Sequence, residues 1–172
     1  MFTKSLLAVA YLASCQALEN AKSDDGETYD RFAAIMDEWG YTWEPVKVKT
    51  DDGFTLTTFH ITGNSEGLFT PTLPPVLIQH GDSSDGADWL KNYWDLPMHL
   101  QLAEAGYDVW VGNNRGTEYS QVHDKYTVDD KEFWAWSWAE MGIYDDVANI
   151  KAIKEHSGAE KVFYLGWSQG TV

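Results

Sequence analysis

The chain has 172 residues, a length that suits one domain of ordinary size, so a second domain within it is not expected. Hydrophobic residues make up 44% of the sequence and aromatic residues 15%, which is enough apolar surface for a packed core and excludes a disordered tail. The formal net charge is -15 and the sequence has no cluster of Lys and Arg, so the phosphate neutralisation that nucleic-acid binding needs is not expected.

Residues 1–17 have the pattern of a secretory signal peptide. A lysine precedes an apolar run over residues 6–13, and small residues follow up to the expected cleavage point. The run is too short to cross a bilayer, so no transmembrane segment is predicted there. An N-terminal core helix and a bacterial lipoprotein site at Cys15 remain as alternatives. The signal peptide predicts a secreted or luminal protein whose mature chain is 18–172.

No metal site or cofactor is expected from the motifs. The acidic pairs lack the alternating spacing and closing Glu of a calcium loop, and no HExxH pattern occurs. We interpret these pairs as solvated surface and turns; they are Asp24-Asp25, Asp51-Asp52, Asp129-Asp130 and Asp145-Asp146. Cys15 is the only cysteine, so the stretch holds no internal disulfide.

The first predicted elements of the mature chain are a helix and a hairpin. Residues 31–39 are expected to form a short helix that ends at Gly40. Two alternating runs, 46–49 and 54–57, are joined across Asp52-Gly53, which is the usual signal for a β-hairpin. We expect these two strands to pair antiparallel at one end of a sheet.

From residue 75 onward, short apolar strands alternate with helices. The predicted strands are 75–79, 107–111 and 162–165, and the predicted helices are 96–105 and the apolar stripe of Ile143, Val147, Ile150 and Ile153 that closes near Gly158. This alternation favours a mostly parallel sheet with helices on both faces. Active sites of such sheets lie at the carboxyl ends of the strands, where His80-Gly81, Gly112 and Gly166 fall.

Gly166-Trp-Ser168-Gln-Gly170 directly follows the last predicted strand, as the GxSxG nucleophile elbow requires. A sharp turn from strand to helix holds the serine in strained backbone, and glycines on both sides let the chain pass close by. A GxSxG pattern is common by chance, so its position after a strand carries the interpretation. We predict that Ser168 is a nucleophile, with Gly166 and Gly170 forming its elbow.

An elbow of this type needs an oxyanion hole made of two backbone N–H groups. Gln169, which follows the serine, supplies the first, and Asp82 is the candidate for the second. Gly81 would let the backbone approach the substrate. The expected triad order is serine, acid, histidine, and His80 precedes the serine. We therefore expect His80 to be a structural residue that bonds the loop backbone.

Further motifs extend the pattern along the chain. They are Trp39-Gly-Tyr41, Lys49-Thr-Asp-Asp-Gly53, Gln79-His-Gly81, Ala105-Gly-Tyr-Asp-Val-Trp110, Gly112-Asn-Asn-Arg-Gly116, Glu132-Phe-Trp-Ala-Trp136, Glu140-Met141, Tyr144-Asp145 and Gly166-Trp-Ser-Gln-Gly-Thr171. Together they resemble the acid lipase family, α/β-hydrolases that include the gastric and lysosomal acid lipases. The resemblance spans about residues 35–172 and covers the N-terminal part of the family's fold.

The resemblance implies an α/β-hydrolase fold and a secreted or lysosomal enzyme that needs no cofactor and acts at a lipid–water interface. Ser168 would attack the ester carbonyl of a neutral lipid while the N–H groups of Gln169 and Asp82 hold the oxyanion. Two positions depart from the family: Asp82 stands where leucine is usual and Trp167 where histidine is common. A carboxylate beside an oxyanion is unfavourable unless it points away or is protonated. Only the backbone of Trp167 is needed.

Aromatic residues and one arginine near the predicted site have two possible roles each. Phe133, Trp134, Trp136 and Trp138 could bind lipid, but core packing is favoured because aromatic residues are large core residues. Arg115 could act on the site electrostatically, but an ion pair that fixes its loop is favoured.

A serine is a weak nucleophile unless a histidine, itself oriented by an acid, takes its proton. All five histidines, at positions 60, 80, 99, 123 and 156, precede Ser168. The sequence therefore predicts an incomplete and inactive fragment of a lipase, truncated after the elbow, with the strand of Leu165 at an open sheet edge. An esterase for small soluble esters and a non-catalytic lipid-binding relic remain as alternatives. Triacylglycerol and cholesteryl ester are not distinguished as substrates.

Overall fold

The computed structural model describes residues 29–91 and 95–172. The predicted signal peptide, its two alternatives and Cys15 lie outside these residues, as does the acidic pair at 24–25.

Helix α1 (Asp30–Trp39) confirms the first predicted element. It ends at Gly40, whose φ of 73° lies in the left-handed region that glycine adopts without steric cost. One face of the helix, formed by Phe32, Ala33 and Met36, is buried against the sheet. The helix therefore contributes to the core by tertiary packing of its apolar face.

The predicted hairpin is confirmed, with strands that are longer than the alternating pattern indicated. Strand β1 (Tyr41–Lys49) pairs antiparallel with β2 (Phe54–Asn64), and Lys49 lies opposite Thr55 next to the turn. Thr57 and Thr58 of β2 are fully buried. A buried strand that carries polar residues does not alternate cleanly in sequence, which is why the pattern underestimated its length.

The remaining elements follow in chain order. They are β3 (Gly67–Leu68), β4 (Pro75–Gln79), a 3-10 helix (Gly86–Leu90), α2 (Met98–Glu104), β5 (Asp108–Val111), β6 (Val122–His123), α3 (Trp138–Glu140), a π-helical segment (Met141–Asp146), α4 (Val147–Ser157), β7 (Phe163–Gly166) and a 3-10 helix (Ser168–Thr171).

The strands form one mixed sheet in the order β1-β2-β5-β4-β7, and β3 and β6 also pair with β2. Strand β4 pairs parallel with both β5 and β7, as expected from their alternation with helices. Strand β2 pairs antiparallel with β1 and β5, so the described sheet is mixed rather than mostly parallel. In the parallel part, the carboxyl ends of β4, β5 and β7 meet at one edge and position the loops that follow them.

Helices cover both faces of the sheet, as predicted. In β4, Val76 and Ile78 belong to the core cluster that contains α1 and α2 residues, whereas Leu77 packs with Trp110 and Ile153 on the other face. Successive side chains of a strand point to opposite faces, so a continuous apolar strand requires this double covering.

Only the second half of the predicted apolar stripe, on helix α4, faces the core, since Ile153 is buried and Ile150 packs against the same cluster. Ile143 and Val147 are 62% and 55% exposed, while Asp145 and Asn149 are fully buried. Wider π-helical turns shift the register of side chains, and buried polar contacts then decide the face. Asn149 Oδ1 accepts a hydrogen bond of 2.5 Å from Thr58 Oγ1, which anchors the helix to β2.

The prediction that four neighbouring aromatic residues fill the core is right for only part of the group. Phe133 is fully buried beside Val48 and Phe54, and Trp136 packs against that cluster while half-buried. Trp134 and Trp138 are 45% and 57% exposed, so the prediction is wrong for them. The segment over residues 131–137 is turn and loop, so it has no single face on which all four rings meet the core.

Candidate active site

Ser168 lies at the turn between β7 and the 3-10 helix that follows it, at the carboxyl end of the strand. Its φ is 53°, and among the described residues other than glycine only Ser83 shares a positive φ. A residue with a side chain costs on the order of 1 kcal/mol or more in this region. Ser168 therefore has the strained backbone that the elbow pattern predicts, and its side chain is exposed.

Close backbone contacts explain the glycines around Ser168. A Cβ atom at Gly166 would lie 1.9 Å from the carbonyl oxygen of Gly170, and one at Gly170 would lie 2.6 Å from the carbonyl oxygen of Gln79. A Cβ at Gly81 would lie 2.9 Å from the Cβ of Ser168. No side chain fits at these distances, so the backbone of Gly81 packs directly against Ser168 and Trp167 of the elbow.

Asp82 and Gln169 line the same cavity, which has a volume of about 330 Å³. Among the described residues, no hydrogen-bond acceptor engages the backbone N–H of either residue. An oxyanion hole requires two such N–H groups, so Asp82 and Gln169 remain the candidates for it. The exposed Asp82 carboxylate is solvated, and water weakens its repulsion of a nearby negative charge.

His80 is buried and binds loop backbone through both ring nitrogens. Nδ1 lies 2.8 Å from the carbonyl oxygen of Gly81, and Nε2 lies 3.0 Å from the backbone nitrogen of Asn114. The neutral ring with its proton on Nδ1 satisfies both partners. Burial lowers the pKa of His80, which favours this neutral form. His80 thus connects the loop after β4 to the loop after β5.

Arg115 anchors the loop after β5 through a buried ion-pair network. Its guanidinium donates to both carboxylate oxygens of Asp52 at 2.6 and 2.9 Å, and to Asp145 Oδ1 at 2.9 and 2.7 Å. Its backbone N–H also donates to Asp145 Oδ2, and the ring of Phe54 lies 4.1 Å from the guanidinium carbon. The predicted ion pair that fixes the loop is confirmed.

This network sets the charge of both carboxylates. Burial disfavours the charged form of Asp52, but hydrogen bonds from Arg115 and Thr50 outweigh it and lower the pKa of that carboxyl. Burial raises the pKa of Asp145, which is fully buried, while Arg115 opposes that rise. The interpretation of the acidic pairs as solvated surface and turns is therefore wrong for the buried Asp145, whereas Asp52 lies in the turn between β1 and β2 and is partly exposed. Arg115 and Gly116 line the cavity beside Asp82, so the network shapes its wall.

The described residues place no base against Ser168. No hydrogen bond to a described residue involves its Oγ, and both ring nitrogens of nearby His80 are used. His99 is fully buried, and burial lowers its pKa to about 3. His123 packs against Phe54, and the two other histidines pack together against Trp110.

Sequence reasoning missed three residues that support the site. Asp52 and Asp145 were assigned to the surface, and Asn114, whose N–H bonds His80, received no role. The available signal was the run Gly112-Asn-Asn-Arg-Gly116 directly after a buried strand, because a buried arginine in such a loop requires carboxylate partners.

Two protein families match the chain. Residues 32–93 match the partial alpha/beta-hydrolase lipase region, and residues 74–172 match the alpha/beta hydrolase fold. The structure also resembles an esterase from Pyrococcus furiosus with a TM-score of 0.53 and 21% identity, covering 78% of this chain and 45% of that one. At this identity the likeness concerns the fold alone. The predicted α/β-hydrolase fold is confirmed.

Curated relatives bear out the resemblance to acid lipases. Human lysosomal acid lipase/cholesteryl ester hydrolase is 38% identical over 148 residues, which are 86% of this chain and 37% of that protein. Rat gastric triacylglycerol lipase is 40% identical over 136 residues, 77% of this chain and 34% of that one. Mouse lipase member M is 36% identical over 170 residues, 96% and 40% respectively. The chain thus spans about two fifths of the length of such relatives. In the described part of the chain, every helix is too short or too polar to cross a bilayer.

Proposed function

The chain belongs to the alpha/beta hydrolase fold family, and on this basis we propose that it carries the nucleophile and the oxyanion hole of a serine lipase. The reaction is hydrolysis of carboxylic ester bonds in neutral lipids, without a cofactor. The observation that carries the proposal is the strained backbone of Ser168 beside a cavity lined by Asp82 and Gln169.

In this reaction, Ser168 Oγ attacks the ester carbonyl carbon and its proton passes to a base. The resemblance assigns that role to a histidine oriented by an acid, and among the described residues no histidine or carboxylate hydrogen-bonds to Ser168 Oγ. Negative charge that develops on the carbonyl oxygen is held by the N–H groups of Asp82 and Gln169. The alcohol leaves with the proton, and water then cleaves the acyl-enzyme to release the fatty acid and restore the serine.

The substrate class follows from the relatives. Two of them are named as a cholesteryl ester hydrolase and a triacylglycerol lipase, so the proposed substrates are long-chain triacylglycerol and cholesteryl ester. The signal pattern over residues 1–17 supports secretion or delivery to a luminal compartment such as the lysosome. Such a protein would meet its substrates at a lipid–water interface.

The test is a hydrolysis assay on the protein expressed from its complete reading frame. Emulsified triacylglycerol, cholesteryl ester and a soluble short-chain ester are compared, using wild type, Ser168→Ala and Ser65→Ala. Ser65 is an exposed loop serine outside the site and serves as the control. We expect Ser168→Ala to lower long-chain hydrolysis by about 1,000-fold or more and Ser65→Ala to leave it unchanged.

Three results would contradict the proposed function. Hydrolysis of the soluble ester alone would indicate an esterase for small substrates. Lipid binding without any hydrolysis would indicate a non-catalytic relic of the fold. Full activity in the Ser168→Ala variant would remove the serine from the mechanism.

A further inference from the structure

A second group of chemically reactive side chains lies on the sheet face that helix α4 covers. Glu44 comes from β1, His60 from β2 and His156 from α4, so the three are far apart in sequence. One ligand atom from each lies within 4.8 Å of the others. None of the three lines the cavity beside Asp82 and Gln169, and the proposed ester hydrolysis uses none of them.

His60 is oriented as metal-binding histidines usually are. Its Nε2 lies 2.7 Å from Asp108 Oδ1, and Asp108 Oδ2 in turn accepts a 2.9 Å hydrogen bond from Trp110 Nε1. The His60 ring also stacks on the Trp110 ring, with centroids 4.0 Å apart and planes inclined by 7°. A carboxylate that accepts the second N–H of a ligating histidine fixes the tautomer and leaves the other nitrogen free to bind. Here that other nitrogen is Nδ1.

Glu44 contacts Nδ1 of His60, and the ring of His156 lies beside the His60 ring. Glu44 Oε1 lies 2.9 Å from Nδ1, and the His156 ring centre lies 5.2 Å from the His60 ring centre. No hydrogen bond to a described residue uses either nitrogen of His156. A tetrahedral zinc ion at about 2.0–2.1 Å from its ligands holds them roughly 3.4 Å apart. Zinc binding would require the exposed His156 side chain to move closer to the other two ligands.

Charge also favours a divalent cation at this position. Glu44 and Asp108 bring two negative charges to His60. Even when His60 is protonated, these three side chains therefore carry a net charge of -1. An ion pair of His60 with the two carboxylates does not involve His156. The ring of His156 nevertheless contacts both His60 and Trp110, which places it within reach of the same group.

We propose that Glu44, His60 and His156 bind a zinc ion and that Asp108 is a positioning residue for His60. Two imidazoles and one carboxylate form a ligand set that suits zinc, with the fourth position open to water. The ion would tie β1 and β2 to α4 and so stabilise the packing of that helix on the sheet. No metal was expected from the sequence because metal-binding motifs have short local spacings, whereas these ligands lie at positions 44, 60 and 156.

The test is a zinc titration of the full chain after chelator treatment, followed by competition with a chromophoric chelator. We expect one zinc site in the wild type, and at least about tenfold weaker binding in the His156→Ala variant because a ligand is lost. His156 is exposed, so its removal is compatible with folding. His123→Ala is the matched control, since this histidine lies in β6 and binds loop backbone instead.

Two further readouts separate zinc binding from a purely structural role. Asp108→Asn retains all three ligands but weakens the positioning bond, so it should lower zinc affinity by about 10- to 100-fold. Cobalt substituted for zinc should give a tetrahedral absorption spectrum that disappears in His156→Ala. The proposal is overturned if the wild type binds no zinc, or if His156→Ala binds zinc as tightly as the His123→Ala control.

Discussion

At the scale of single residues, the site depends on positions where no side chain fits. Gly81 brings the loop after β4 against the elbow, and a Cβ there would lie 2.9 Å from the Cβ of Ser168 and 3.0 Å from the carbonyl oxygen of Trp167. Both neighbours belong to a strained turn, so any adjustment moves the proposed nucleophile itself. These glycines could be predicted from the sequence because they lie in short local motifs, GxSxG and the His80-Gly81 pair after a strand.

Gly81→Ala should impair the site more than it impairs the fold. Overpacking typically costs about 1–3 kcal/mol, and the displaced Ser168 should lose at least about tenfold in reactivity toward an acylating probe. Gly142→Ala is the control, because its nearest neighbour to a new Cβ lies 3.9 Å away. Probe reaction rates and urea unfolding are measured on all three proteins. Equal probe rates for Gly81→Ala and the wild type would show that the contact does not position the serine.

Arg115→Met should be among the most destabilising single changes. The substitution leaves Asp145 buried without its partner, and breaking a buried pair typically costs about 3–5 kcal/mol. Arg31→Met is the matched control, since Arg31 also pairs with carboxylates but is 37% exposed, and such pairs contribute about 1 kcal/mol or less. Urea unfolding gives both values. If the two variants lose similar amounts of unfolding free energy, the buried ion pairs of Arg115 stabilise the fold no more than the exposed ones of Arg31.

Side-chain partners that are distant in sequence could not be predicted from the sequence. An ion pair for Arg115 was predicted, but its partner Asp52 lies 63 positions away and its partner Asp145 lies 30 away. The packing of the strands and α4 determines which carboxylates meet Arg115, and no local sequence spacing identifies them. The same is true of Asn114 and His80, which are 34 positions apart.

At the scale of elements, apolar runs predicted the strands and helices better than they predicted which side faces the core. Strand β4 has the bounds expected from its continuous apolar run. Helix α4 buries Asn149 and Ile153, while the preceding π-helical segment leaves Ile143 exposed. Periodicity reports hydrophobicity, so it misassigns a helix whose buried face is held by polar contacts.

Asp146, the last residue of the π-helical segment, should make stability depend on pH. Burial raises the pKa of its carboxyl to about 6, with a further rise from the neighbouring Asp145, although the Tyr164 hydroxyl donates to it at 3.1 Å. The folded state then favours the protonated carboxyl. Its contribution to stability is complete below about pH 4 and is lost as the pH rises to about 6.

The Asp146→Asn variant should remove this pH dependence. It should be about 3 kcal/mol more stable than the wild type at pH 7 and of nearly equal stability at or below pH 4, because asparagine carries no charge to desolvate and a pKa shift of about two units is worth about 1.4 kcal/mol per unit. Urea unfolding of both proteins across this range gives the difference directly. An unchanged difference between pH 4 and pH 7 would contradict the raised pKa.

At the scale of the whole molecule, the edge of the sheet formed by β7 exposes apolar side chains. Within the described residues β7 pairs with β4 alone, and Phe163 on it is 57% exposed. Ile143 and Val147 are exposed as well, on the elements that precede β7 in the chain. An exposed strand edge with apolar neighbours promotes association.

We expect the 172-residue chain to associate as its concentration rises, and Ile143→Lys to reduce that association by replacing an apolar side chain with a charged one. Leu68→Lys is the control, because Leu68 is 80% exposed on the short strand β3 at another part of the sheet. Light scattering at several concentrations compares the three. If Leu68→Lys reduces association as strongly as Ile143→Lys, the effect is one of net charge.

Covalent labelling with a fluorophosphonate tests the role of Ser168, because an activated serine attacks the phosphorus of this reagent, displaces fluoride and becomes phosphonylated. The protein is expressed from its complete reading frame, labelled, digested and analysed by mass spectrometry. We expect one adduct, located on Ser168, which is absent from the Ser168→Ala variant. An adduct on another residue, or none in a folded protein that hydrolyses lipid esters, would contradict this expectation.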